Sequence, residues 1–141
     1  MRFLAGKAPT VEDAIRVASF RVALRHFFRA TEVAARESGL TPRQYLLLLL
    51  IKGAPDGSEH TTVGALCKRL YLAQSTVTEL VSRAEQAGLV RATQSQRDGR
   101  VSEIRLTPAG ERRLAECFSR LEDERRALNE ALSEHETAAV L

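Results

Sequence analysis

Between residues 10 and 38, apolar positions recur every three or four residues, the period of a helix. They fall into two stripes. Val11, Ala14, Ile15, Ala18 and Val22 form one, and Val17, Phe20, Leu24, Phe27, Phe28 and Ala34 form the other. A lone small domain needs only one buried stripe per helix, so the second predicts contact with a partner subunit. Thr10, followed by Glu12 and Asp13, has the hydroxyl and acids of a helix start. Gly39 suits the position just past the helix end.

Thr41-Pro42-Arg43-Gln44 predicts the next helix start, with a capping threonine, a proline in the first turn and a glutamine that closes a capping box. Leu46 to Ile51 is apolar on every side, which predicts a central helix, and the turn-rich Gly53–Gly57 stretch ends it. Thr62 caps a short helix carrying Val63, Ala65, Leu66 and Leu70. After a break at Tyr71-Leu72, a further helix runs from Gln74 to about Ala87, with Val77, Leu80, Val81 and Ala84 inward and Gly88 beyond its end. Two short helices joined by a tight turn make a helix-turn-helix.

The period then changes. Leu89 to Thr93 reads as one strand, and Val101 to Leu106 alternates apolar and polar residues as a half-buried strand does. Between them, Ser95-Gln96-Arg97-Asp98-Gly99-Arg100 is polar, and its Asp-Gly pair signals a hairpin turn. Thr107-Pro108 opens a long helix expected to reach about Leu132, with Leu114, Cys117, Phe118, Leu121, Leu128 and Leu132 on its buried stripe. Ser133-Glu134-His135-Glu136 reads as a capping box that starts one more helix.

A helix-turn-helix followed directly by a hairpin is a winged helix. Its second helix suits the DNA major groove, and its wing suits the phosphate backbone or minor groove. The outer face of the Gln74–Ala87 helix offers Gln74, Ser75, Thr76, Thr78, Ser82 and Arg83, amide, hydroxyl and guanidinium groups that can bond phosphates and base edges. Glu79 lies on the same face and either repels phosphate or accepts from cytosine. The wing tip offers Arg97 and Arg100, and arginine gains from the negative potential of a narrow minor groove.

The charge distribution agrees. The 141 residues carry a formal net charge of +3. Residues 1–60 hold nine Lys/Arg against six Asp/Glu, and residues 61–105 hold seven against four. Residues 106–141 reverse the sign, with five against eight. The basic excess therefore accompanies the winged helix and the first helix, as a polyanion partner would favour. With 44% hydrophobic and 28% charged residues, the chain reads as one globular domain and not as a disordered chain. Its longest apolar run, Tyr45 to Ile51, is too short to cross a membrane, and residues 1–9 lack the apolar core of an export signal. Cys67 and Cys117 make no disulfide framework, so a cytoplasmic location is expected. The three histidines and two cysteines show no metal-ligand spacing, and no cofactor or enzyme motif is present. His60 and His135, at loop or helix-start positions, read as surface residues, and the cysteines as small hydrophobes.

The stretch from Thr62 to Leu114 resembles the MarR family of winged-helix regulators. TVGALCKRL, LAQSTVTELVSRAEQAGLV and SQRDGRVSEIRLTPAGERRL carry the resemblance, the Arg97-Asp98-Gly99-Arg100 wing with Leu106-Thr107-Pro108-Ala109-Gly110 most specifically. It implies a mainly α fold, a winged helix-turn-helix with long flanking helices that form a dimer platform. Residues 1–141 would then be a single domain, with dimerisation helices at about 10–40 and 107–141 and a DNA-binding lobe at about 41–106. It further implies a homodimeric transcription factor on double-stranded DNA, often a repressor released by a small aromatic or anionic effector. By position in the motif, Asp98 would orient an arginine and Arg100 would enter the minor groove. Arg25, His26, Arg29 and Tyr45 are candidate effector-pocket residues, although a structural histidine is the plainer reading of His26. The chain departs from the family at Ala73, where a capping side chain is usual, and at Glu79, where a basic or polar residue is common. A winged helix used for protein–protein assembly without DNA is the alternative, and Glu79 favours it.

Overall fold

A computed structural model describes residues 6–137. Residues 1–5 and 138–141 lie outside the description, and with them the reading of the extreme N-terminus and of the end of the last helix. The elements in chain order are α1 (Val11–Glu37), α2 (Pro42–Lys52), β1 (His60–Thr61), α3 (Val63–Leu70), α4 (Gln74–Gln86), β2 (Val90–Gln94), β3 (Ser102–Leu106), α5 (Pro108–Arg120) and α6 (Glu122–Thr137). The described chain forms two compact units, residues 6–31 with 121–137, and residues 32–120.

The second unit is the winged helix. The Thr41 capping box forms as its residues dictate: the Thr41 hydroxyl accepts from the Gln44 amide at 3.1 Å, and the Gln44 side chain accepts from the Thr41 amide at 3.0 Å. Such a cap is worth about 1 kcal/mol. Leu47, Leu48 and Ile51 of α2 are fully buried beside Leu66, Val77, Ile104 and Leu114. Burying each such side chain stabilises the fold by roughly 1.5–3 kcal/mol. Leu46 faces outward, so α2 is central on most of its circumference but not on all of it. Gly39 and Gly88 close α1 and α4 at φ +73° and +75°. In both, the amide two residues past the last turn reaches back, Leu40 to Ala35 and Leu89 to Ala84.

The sheet has three antiparallel strands in the order β1-β3-β2. Thr61 pairs with Ile104 and Ala92 with Ile104, and these residues face the helices. The sequence reading missed β1, because two residues are too few to show a period. The register places His60, Arg105 and Arg91 side by side on the opposite face. Where β2 begins, α5 approaches so closely that a Cβ on Gly110 would overlap the Leu89 carbonyl. Thr107 accepts from the Gly110 amide at 3.0 Å, and so caps α5 at that approach.

The first unit corrects the expected helix boundary. The break falls at Leu121, and α6 continues through Ser133 to Thr137. Ser133 does not cap a new helix; its hydroxyl donates to the Asn129 carbonyl at 2.9 Å within α6. Acids at Glu122, Asp123 and Glu124 fill the first turn of α6, the favourable end of its dipole for negative charge. Unbroken helix also carries His135 inward, one turn beyond Ala131. His135 is therefore not a surface residue: it is 3% exposed and stacks on Phe20 at 4.8 Å between ring centroids. Phe118 departs from the expected stripe as well and is largely exposed, while Leu114, Cys117 and Leu121 are buried.

Candidate nucleic-acid interface

The candidate reading helix is α4. Val77, Val81 and Ala84 are buried, which fixes its rotation about its own axis. The opposite face presents Gln74, Ser75, Thr78, Glu79, Ser82, Arg83 and Gln86 along one open, shallow depression. Thr76 is turned aside and lines a separate groove of ≈ 440 Å³ with Thr41, Arg43, Gln44, Glu79, Leu80 and Arg83. Sequence reasoning did not single out Arg43, because its place opposite α4 depends on how α2 packs. Ala73 makes no side-chain cap, yet α4 starts regularly and the Val77 amide reaches the Ala73 carbonyl at 3.1 Å. With no side chain on them, the first-turn amides of α4 are free to meet an anion.

One ion pair modifies this face. Arg83 Nη2 donates to Glu79 Oε1 at 2.7 Å across one helical turn. The Glu79 carboxylate is thereby neutralised locally, and Arg83 is drawn toward it. Glu85 points elsewhere and accepts from the Ala92 amide at 2.9 Å, which links α4 to β2.

The wing is the β2–β3 hairpin with the Ser95–Val101 loop at its tip. The Ser95 amide reaches the Val101 carbonyl at 2.7 Å, and the Val101 amide reaches Asp98 at 3.0 Å. Gly99 and Arg100 thus occupy the turn, and Gly99 is not at positive φ, so the Asp-Gly pair does not make the mirror-image turn such a pair favours. The Asp98 carboxylate holds the tip instead, accepting from the Arg100 amide at 3.0 Å with the Arg100 Nε at 3.9 Å. The Arg100 side chain is almost fully exposed. Arg97 is also exposed, and it lines a polar cleft with Asp56, His60, Thr93, Gln96, Glu103 and Arg105. Sequence reading missed His60 and Arg105 here, since only strand pairing places them together.

Around this lobe the ionisable groups are paired for structure. Lys52 contacts the carboxylates of Glu59 and Glu111, and these bonds hold its ammonium above the usual lysine range. The bond to Lys52 lowers Glu59, and hydrogen bonds from Ser58 lower Asp56. Cys117 is buried, and burial pushes its thiol up, away from the thiolate a redox sensor needs. The candidate effector residues are divided: Arg25, His26 and Arg29 are exposed on α1 in the first unit, and Tyr45 is buried in the second. No group of three or more metal-ligating side chains occurs among the described residues. None of their helices is long and apolar enough to cross a membrane.

Comparison with known proteins gives this architecture a family. The sequence model of the MarR family matches residues 38–101. Over 126 residues the chain is 31% identical to the uncharacterized HTH-type transcriptional regulator YsmB of Bacillus subtilis (strain 168), covering 86% of this chain and 84% of that protein. Among solved structures it is similar to AbsC, a MarR family transcriptional regulator from Streptomyces coelicolor. The TM-score is 0.72 at 19% identity, over 94% of this chain and 93% of that one. It is also similar to a mutant MarR from E. coli complexed with operator DNA, with a TM-score of 0.68 at 19% identity over 94% and 99% of the two chains. At these identities the solved structures establish the fold, a mainly helical winged helix, and the relative from Bacillus subtilis carries the kinship. The chain belongs to the MarR family of transcriptional regulators.

Proposed function

We propose that this protein is a sequence-specific DNA-binding repressor. It acts in the cytoplasm as a homodimer on a pseudo-palindromic operator and is released by a small aromatic or anionic effector. The observation that carries the DNA-binding reading is the polar outer face of α4 combined with an exposed arginine wing on one compact lobe. Gln74, Ser75, Thr78, Ser82 and Arg83 meet the major groove, Thr76 lies at the edge of that face beside Arg43, and Arg97 and Arg100, steadied by Asp98, reach the flanking minor groove. The operator-DNA complex of the E. coli relative supports this assignment by likeness of fold.

The dimer reading draws support from α1 and α6. Every residue of the first α1 stripe (Val11, Ala14, Ile15, Ala18 and Val22) is exposed, Val11 at 78% and Ile15 at 61%, and Leu132 of α6 is exposed as well. A second copy laid over these residues would remove that apolar surface from water. Residues of about 10–40 and 107–141 then serve as the platform, and about 41–106 as the lobe on DNA. The two reading helices would sit about 34 Å apart, one turn of the duplex. An effector that engages the candidate residues, Arg25, His26 and Arg29 on α1 or Tyr45 on α2, acts only by preferring one spacing of the lobes over another.

Fluorescence anisotropy against duplex DNA from upstream of the protein's own coding sequence, with a scrambled control at several salt concentrations, tests the reading. Selective binding with a steep salt dependence is the expected result. Sedimentation equilibrium should return about twice the 15.6 kDa chain mass. Glu79 on the reading face favours one rival, a protein–protein assembly module, and absence of binding to either duplex at low salt would favour it over the DNA-binding reading.

A further inference from the structure

Among the described residues, two other than glycine adopt the left-handed backbone conformation, Glu59 at φ 59° and Tyr71 at φ 54°. In that region Cβ crowds the backbone, so a bulky residue costs free energy that glycine would not. A contact accounts for Glu59, whose carboxylate meets the Lys52 ammonium that also holds Glu111 at 3.1 Å. Tyr71 has no such compensation. It is the C-cap of α3 and its side chain is 94% exposed. Among the described residues it makes no hydrogen bond, ion pair or ring contact. The fold would accept a glycine here more cheaply, so the ring is kept for something outside the chain.

The position says what that is. Tyr71 sits in the turn of the helix-turn-helix, between the basic last turn of α3 and the start of α4. Arg69 is partly occupied by the Leu50 carbonyl at 3.2 Å, but Lys68 is exposed and free of acid partners among the described residues. The first turn of α4 holds no acid and no capping side chain. The ring therefore has a basic helix end on one side and an uncharged helix start with uncapped amides on the other, surroundings that suit a phosphate. A tyrosine offers such a backbone an apolar body and one hydroxyl donor.

We propose that Tyr71 is a DNA-backbone contact, its ring packed on a deoxyribose and its hydroxyl donating to a phosphate oxygen at the edge of the groove that α4 enters. The proposal rests on the DNA-binding reading above and adds a residue to it. The contact carries no charge and reads no base, so it strengthens binding to any duplex without adding to the salt dependence.

The test compares Tyr71→Gly and Tyr71→Phe with the unmodified chain. Each is titrated by anisotropy against the upstream duplex and the scrambled duplex, and each is melted by circular dichroism. Removing the hydroxyl alone should weaken binding to both duplexes about tenfold, the scale of one hydrogen bond to a charged acceptor. Tyr71→Gly should weaken it further, with the salt slope unchanged and a melting temperature equal to or above that of the parent. Parental affinity in both variants overturns the proposal and leaves the DNA-binding reading standing. A lower melting temperature in Tyr71→Gly also overturns it, since the ring would then serve the fold. If the unmodified chain binds neither duplex, the DNA-binding reading itself fails, and Tyr71 belongs to a protein-facing surface.

Discussion

Glu79 and Arg83 are joined by a 2.7 Å ion pair across one turn on the outward face of α4. Both side chains are more than half exposed, so the pair itself adds little to stability. Its consequence is for binding. The carboxylate stands where phosphates would approach and holds an arginine that could otherwise reach them. Glu79→Gln should therefore tighten duplex binding about three- to tenfold and steepen its salt dependence, with the melting temperature nearly unchanged. Anisotropy at two salt concentrations checks this. Weaker binding by the glutamine variant would mean that Glu79 reads a cytosine, and the loss should then be confined to one base position.

Arg100 separates a phosphate-type contact from a structural one. Its side chain is almost fully exposed, and the carboxylate of Asp98 steadies its own amide. Arg100→Ala should weaken binding and lower the salt slope by about one, while the sedimentation mass stays that of the unmodified protein. Asp98→Ala should act on the same step more mildly, because the arginine remains but the tip loses its 3.0 Å tether. Unchanged affinity in Arg100→Ala would remove the wing from the interface.

Gly110 marks a close backbone approach of α5 to the start of β2. A methyl group there meets the Leu89 carbonyl, backbone that has no room to give. Gly110→Ala should cost about 1–3 kcal/mol, read as a lower denaturation midpoint. Gly99→Ala is the control, since open space surrounds that position and its φ is not positive, and its midpoint should stay within about 0.5 kcal/mol of the parent.

The two thiols should respond differently to modification. Burial raises the Cys117 thiol above its ordinary value, which lowers its thiolate fraction at any pH below that raised value. Cys67 is only half-buried. In the native protein at pH 8, a thiol reagent should titrate Cys67 first, and Cys117 should react at a rate comparable with global opening. Mild peroxide should leave duplex affinity unchanged. Rapid equal reaction of both cysteines would show that α5 opens locally.

Much of this was legible in the chain because local chemistry decided it. Thr41 and Gln44 carry a capping box in their order, Gly39 and Gly88 end their helices wherever those helices pack, and the change from helical to two-residue periodicity at Leu89 announces the wing. The polar face of α4 follows from Val77, Val81 and Ala84 alone, since an apolar stripe on one side of a helix specifies what the other side shows. Tertiary structure decided the rest. The two residues of β1 become a strand only by pairing with Arg105 and Ile104, and that pairing sets His60 beside Arg105, in one row with Arg91 on the next strand. Ser133 looked like a cap because a capping box is a local pattern. In the fold, helix continues past it, and His135 turns from a surface residue into the stacking partner of Phe20. Capping and periodicity act over one or two turns and can be read along the chain. Strand pairing, the continuation of a helix and the burial of a side chain depend on residues far away in sequence, and no local pattern contains them.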